Sequence, residues 1–386
     1  MFWTQRDVER VDRMFRQSGL MRRKWEREDY RERTLEVALK ASVASYSPSY
    51  YNEEAPKTRL IEGVNSLLPL TGTTSQSMGK YLKNGLREDK VKFKEYKSRK
   101  TGFENLDRVT KLYPGLYVLG AISSLGKTTF ACQLADQLTK SGEHVLFFSL
   151  EQSRFELATK GLSRLTAIRN MKTALSAMEI REGKTTPDLE KVEIEYANFA
   201  ENEIIYECGF DTTIGTILEE VKSYMSSQGV KPVVIVDYLQ IVRPADMRQS
   251  AKDAVDSNVR AFKKLQTEND LVVLLISSLN RANYLTPVDF ESFKESGGIE
   301  YTADVIWGLQ LSVMNDEIFD KEKGLKGKRE KVMEAKRAKP REVELICLKN
   351  RYGISSYRCK FDYYTQYDYF VPKMKQDEKR QGEIRF

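Results

Sequence analysis

One fourteen-residue stretch, YVLGAISSLGKTTF at 117–130, constrains the fold more than any other part of the chain. An apolar run enters a turn rich in Gly and Ser, then meets Lys127, Thr128, Thr129 and a helix-compatible segment. A strand, a turn full of backbone N–H groups and a helix N-terminus, in that order, make a cradle for phosphate. In this reading Ala121, Ser123, Ser124, Leu125, Gly126, Lys127, Thr128 and Thr129 surround the phosphates of ATP. Lys127 places a point charge on the β and γ groups, and the Thr128 hydroxyl holds Mg2+. The first glycine of GxxxxGK[ST] is here Ala121, with Gly120 just before it.

A phosphate cradle of this kind needs a sheet behind it, and the chain after Lys100 supplies one. Short β-branched or aromatic runs alternate with helix-length segments, which is the grammar of βαβ units. Strands are predicted at Leu116–Gly120, Val145–Leu150, Val233–Asp237, Leu271–Ser277, Val305–Leu309 and Val343–Leu348. Amphipathic stretches such as 130–140 and 254–268 lie between them. The expected class is α/β, with a mostly parallel central sheet flanked by helices. The strand KPVVIVDYLQIV (231–242) ends in one carboxylate, Asp237, about 110 residues after the P-loop, where a Mg2+ shell needs it. The strand Val145–Leu150 runs into Glu151; at the carboxyl end of a parallel strand, that side chain is placed to act as general base on an attacking water. Alone, such a Glu is more often the neighbour of a helix cap.

Upstream, residues 7–45 are helical in pattern and highly charged, with Val8, Val11, Met14 and Phe15 at helix spacing. Residues 46–77 are rich in Ser, Thr, Pro and Tyr and read as linker. Residues 78–97 read as one amphipathic helix, the ATPase domain as 100–373, and 374–386 as a charged tail. With 40% apolar and 31% charged residues, and no apolar run near the ~20 residues that span a bilayer, the chain reads as cytoplasmic. Four separated cysteines and one histidine, His144, exclude a zinc site of ordinary spacing. The net charge of +7 is matched by the local excess in 321–341, which holds ten Lys or Arg and three Glu. That segment either meets nucleic-acid phosphates or is a solvated insertion. The aromatic cluster Tyr363, Tyr364, Tyr367, Tyr369 and Phe370 fits edge packing or partner binding better than base stacking.

Several motifs over 100–365 together resemble the DnaB family of hexameric replicative helicases. TGFENLD (101–107) looks like the family's TGxxxLD, FFSLEQSRFEL (147–157) like its FSLEMS stretch, and VDYLQIV (236–242) like its IDYLQL. The family's P-loop often carries Ala in the position of Ala121. The resemblance implies that Glu151 is the catalytic base. ISSLNR (276–281) resembles LSQLNR, with Ser278 where the family has a glutamine that senses the γ-phosphate; Asn280 and Arg281 would complete that coupling strand. ESGGIEYTADVIWGL (295–309) resembles ESGSIEQDADVI. LKNRYG (348–353) resembles KQRNG, which implies that Arg351 is an arginine finger with Lys349 beside it; read without the family, both are strand-end surface charge. The resemblance further implies a ring of six identical subunits on single-stranded DNA, with Arg243, Arg248 and Lys252 in one channel loop and Lys294 in the other. A primase or primase-polymerase and a loader are the partners it suggests, and the helix at 78–97 would strap onto the adjacent subunit. The stretch DVERVDRMFRQSGLMRRKW is similar to the helical segment that closes phage and mobile-element primase-polymerase modules. Two other readings stay open: a recombinase or switch ATPase that does not unwind, and an ATP-binding loading or assembly factor.

Overall fold

The computed structural model describes residues 8–17, 23–41, 77–96, 99–246, 248–280, 284–293, 297–315 and 324–374. The chain forms two units, Met1–Gln76 and Ser77–Phe386. In the first, helices Val8–Gln17 and Glu28–Ala41 flank a short turn at Arg23–Glu26. Trp25 is buried there, and its indole N–H donates to Asp12 at 2.6 Å, which ties the turn to the first helix. The tail after 374 and most of the 46–77 segment lie outside the described residues.

The second unit is built on a nine-stranded sheet: β1 Gly115–Ala121, β2 Val145–Ser149, β3 Glu203–Glu207, β4 Val233–Asp237, β5 Val272–Ser278, β6 Val305–Leu311, β7 Arg341–Asn350, β8 Arg358–Tyr364 and β9 Tyr369–Pro372. Their spatial order is β3-β2-β4-β5-β1-β6-β7-β8-β9. The first six pair in parallel, and β7 to β9 add an antiparallel edge. β1, β2, β4 and β6 are buried along their whole length, which is why each reads as an unbroken apolar run.

All six strands predicted from the sequence are present, shifted by a few residues at their ends. Three more are present that the sequence pattern did not predict. β3 (EIIYE) is short, ends in charge at both sides and is only partly buried. β8 alternates, with Cys359, Phe361 and Tyr363 buried between more exposed neighbours, and the aromatic run expected to pack an edge is this strand and β9. Phe361 and Phe370 meet Phe130 edge-on, and Tyr363 stacks on Phe370 at 4.1 Å, so the cluster closes the core beneath the P-loop helix.

The segment expected as a single helix at 78–97 is two helices, Met78–Asn84 and Leu86–Tyr96, which meet at Gly85. Tyr81 covers that glycine so closely that a Cβ would meet its ring at 2.7 Å, and its hydroxyl donates to Asp89 at 2.8 Å across the junction. The second helix is anchored by Phe93, which stacks on Tyr113 at 4.6 Å, while Met78, Leu82 and Val91 stay exposed.

Candidate active site

β1 ends at Ala121 and the chain turns through Ser123 and Ser124 into the helix Lys127–Lys140. Gly126 caps that helix with φ +87°, a left-handed conformation natural to glycine, and a Cβ there would meet the Tyr363 ring at 2.8 Å. Ser124 also has a positive φ, +65°. Ser123 and Ser124 are exposed at the tip, whereas Ala121 and Leu125 are buried and offer only backbone to a ligand. The Thr129 hydroxyl is already engaged. It donates to Asp368 at 2.8 Å, with Lys160 and Tyr363 each 3.4 Å away, so Thr129 fastens the helix to the β8–β9 turn.

Two strand ends bring charge to this turn. Asp237 ends β4 with 1% of its surface exposed, and neither carboxylate oxygen has a hydrogen-bond partner among the described residues. Burial pushes its carboxyl up to about 6, against the pull of the Thr128 hydroxyl, Lys127 and Lys160. Thr128 faces Asp237 without meeting the geometry of a full hydrogen bond. A buried acid with two orphaned oxygens beside a hydroxyl suits a hard divalent cation, which would supply the missing partners. Glu151, exposed just past β2, is near enough to act on the ionisation of both Asp237 and Lys127. Lys127 is desolvated, which pulls its ammonium below the usual lysine range despite Asp237 and Glu151. It donates to Ser278 Oγ at 3.0 Å and lies 5.7 Å from the Tyr238 ring centre.

Ser278 ends β5 beside Ala121, so its hydroxyl sits in the same crevice as the P-loop. Gln240, a residue that sequence reasoning missed, bridges the strands: its Nε2 donates to Ser277 Oγ at 2.8 Å and its Oε1 accepts from the Ser278 N–H at 3.3 Å. Asn280 continues the line, its N–H donating to the Ser292 carbonyl at 2.8 Å and its amide to the Glu291 carbonyl. Arg281 and Lys294 lie outside the described residues. Arg243 pairs with Asp211 at 2.7 Å; Arg248 is exposed in the following loop, and Lys252 in the first turn of the helix Ala251–Asn269.

The remaining pair, Arg351 and Lys349, stands elsewhere. Arg351 donates to Asp304 at 2.9 Å and to the Tyr301 carbonyl, and Lys349 donates to the Glu300 carbonyl at 2.6 Å. Asp304 also binds the Leu116 N–H at the amino end of β1. From Leu116 to Ala121 the strand advances about 17 Å, so these cations sit at the opposite end of the sheet from their own P-loop. Arg351 keeps 51% of its side chain exposed.

The fold and the crevice together define a RecA-like P-loop domain. Residues 99–371 match the DnaB-like helicase C terminal domain, and the chain belongs to that family. Residues 1–48 match the NrS-1 polymerase HBD domain. Among curated relatives, the replicative DNA helicase DnaB of Pasteurella multocida is 29% identical over 62% of this chain and 51% of its own length. A probable replicative DNA helicase of Trieres chinensis is 25% identical over 72% and 60%. The chain thus spans about half the length of the curated relatives it matches. In fold it resembles a solved ATPase domain, with a TM-score of 0.62 at 21% identity, covering 78% of this chain and all of that one. It also resembles a DnaB-like replicative helicase whose structure was described with its interactions with primase, with a TM-score of 0.59 at 23% identity over 75% and 67%.

Proposed function

We propose that the chain is the motor of a ring-forming, hexameric replicative DNA helicase that hydrolyses ATP at the seams between subunits and moves along single-stranded DNA. One observation carries this: the phosphate cradle and the Arg351–Lys349 pair lie at opposite ends of one sheet, so a site with both needs a second copy. Within a subunit, the P-loop N–H groups and Lys127 would hold the triphosphate, and Thr128 and Asp237 would hold Mg2+, which would supply charge neutralisation to the phosphates. Glu151 orients and deprotonates the attacking water. From the neighbour, Arg351 with Lys349 meets the charge that develops on the γ-phosphate. Ser278, Asn280 and Arg281 then carry the state of that phosphate towards the loop after β5, and Arg243, Arg248, Lys252 and Lys294 meet the strand's phosphates without reading its sequence.

The domain plan in this reading is a helical module at 1–45, a linker at 46–99 whose helices strap onto the adjacent subunit, the ATPase domain at 100–373 and a charged tail at 374–386. A primase or primase-polymerase is the natural partner of the first module, a loader that of the ring, and the cytoplasm the place of action. The deciding experiment measures ATP turnover with and without single-stranded DNA for Glu151→Gln, for Arg351→Ala, and for the two co-expressed. Each variant alone is expected to be silent, and the mixture to regain turnover at seams that join an intact Glu151 to an intact Arg351. A mixture as silent as its parts would sink the shared site; wild-type turnover indifferent to DNA would sink the helicase. Ser278 in place of glutamine favours the second reading, an ATP-binding loading or assembly factor, for which nucleotide binds but DNA does not accelerate turnover.

A further inference from the structure

None of the roles assigned above falls on the basic segment 321–341. Its described residues, 324–341, contain the helix Leu325–Arg337, which follows the carboxyl end of β6 and therefore rises from the same end of the sheet as the P-loop. It carries Lys326, Lys328, Arg329, Lys331, Lys336 and Arg337 against Glu330 and Glu334, and Lys326, Arg329 and Arg337 are exposed.

Its last turn is fastened to the P-loop from two sides. Arg341 donates from Nη1 to the Ser124 carbonyl at 2.7 Å, and from Nη2 and Nε to the Lys336 carbonyl at 2.6 and 3.1 Å. Its guanidinium lies 5.8 Å from the centre of the Tyr363 ring beneath the cradle. On the other side, Lys336 Nζ lies 5.5 Å from the centre of the Tyr284 ring, and the Tyr284 hydroxyl donates to Ser123 Oγ at 3.4 Å. Tyr284 belongs to the loop between β5 and β6, to which the helicase reading assigns contact with DNA. Both exposed serines of the cradle, that loop and the basic helix therefore converge on Lys336.

We propose that the helix Leu325–Arg337 is a docking surface for the phosphate backbone of single-stranded DNA, and that Arg341 and Tyr284 transmit its occupancy to Ser123 and Ser124. The inference rests on the helicase reading. Charge complementarity names the occupant: a helix with six cations against two carboxylates, three of the cations exposed, gains affinity by displacing counterions from a polyanion. The rigid guanidinium fork supplies the transmission, because the helix end cannot shift by about an ångström without stretching the bonds to Lys336 or Ser124. Linkage then requires reciprocity, so DNA must change nucleotide affinity by the same factor by which nucleotide changes DNA affinity.

The test uses the full chain, labelled oligothymidylate and a non-hydrolysable ATP analogue, each titrated with and without the other. In the triple variant Lys326→Glu, Arg329→Glu, Arg337→Glu, oligothymidylate affinity is expected to fall by roughly tenfold or more. The slope of log affinity against log salt should become shallower by about 2, three contacts at ~0.7 each. Arg341→Gln should still bind oligothymidylate while losing most of the mutual enhancement; a merely structural arginine would weaken analogue binding equally with and without DNA. Because Arg341→Gln also removes the bonds that hold the helix end, a milder variant stands beside it: Tyr284→Phe, which removes one hydroxyl, should lower the coupling factor on its own. A triple variant with wild-type affinity and salt slope would overturn the docking surface, and undiminished coupling in both Arg341→Gln and Tyr284→Phe would overturn the transmission. Wild-type protein that binds no oligothymidylate would instead remove the helicase reading, and this inference with it.

Discussion

The two ends of the central sheet handle charge in opposite ways. At the amino end, Asp304 is buried but fully employed: it receives the Leu116 N–H, Lys263 at 2.6 Å and Arg351 at 2.9 Å. At the carboxyl end, Asp237 is as deeply buried and its oxygens accept no hydrogen bond among the described residues, while Lys127 beside it donates to a serine hydroxyl. Buried charge is tolerated when paired and costly when not. A satisfied cluster therefore stabilises the fold, while an unsatisfied one marks where something else must bind.

That contrast can be broken most decisively through Arg351. Arg351→Ala should lower ATP turnover by roughly 10³-fold or more, as loss of an arginine supplied in trans does. Its folding cost should stay within about 1 kcal/mol, because the Arg351 side chain is half exposed and Asp304 keeps Lys263. Turnover together with a urea unfolding curve decides, and an intact rate would place the cations outside the chemistry. The reverse profile is expected of Asp304→Ala, which should cost about 3–5 kcal/mol in the same unfolding measurement, since it strands a buried N–H and two cations; a loss under about 1 kcal/mol would refute the settled character of this end.

The carboxyl end should show its cost as a pH dependence. Burial lifts Asp237 to about 6, so the folded chain holds that proton where an unfolded chain, ionising near 4, has lost it. Stability without Mg2+ should therefore decline as pH rises from about 4 through about 6, by up to about 3 kcal/mol. Asp237→Asn should flatten that decline and be the more stable protein above it, at the expense of Mg2+-dependent nucleotide binding. Equal pH profiles for the two proteins would show that Asp237 has a partner after all. The smallest effect is expected at Phe93, whose stack on Tyr113 is half exposed: Phe93→Ala should cost on the order of 1 kcal/mol, seen as greater proteolysis of the helix Leu86–Tyr96.

Much of the crevice's geometry was legible in advance because its parts are contiguous. Gly126, Lys127 and Thr128 follow β1 directly, and Asp237 and Glu151 are the residues at which apolar runs stop. The reading of 78–97 as one helix failed at Gly85, where the apolar spacing continues through a junction that only Tyr81 and Asp89 reveal. β8 carried the alternation of a strand in Cys359, Phe361 and Tyr363, but a run so dense in aromatics reads equally well as a packed edge. Gln240 and Tyr284 had no signal of their own, and Arg341 was one of ten cations in a run, since an amide, a phenol and a guanidinium are ordinary until their neighbours are known.

By itself the sequence determined the class of sheet, the strand–turn–helix at 115–140 and the residues that crown its strands, because those depend on local backbone geometry and on apolar runs long enough to be buried. Only the tertiary structure decided that Thr129 is spent on Asp368, that Ser278 and Gln240 stand in the crevice with Lys127, and that the basic helix is tied to the P-loop serines. It also decided that Arg351 sits a full strand length from its own cradle. The physical reason is register: the pairing of β6 with β7 fixes which end of the sheet Arg351 occupies, and that pairing joins residues about forty positions apart.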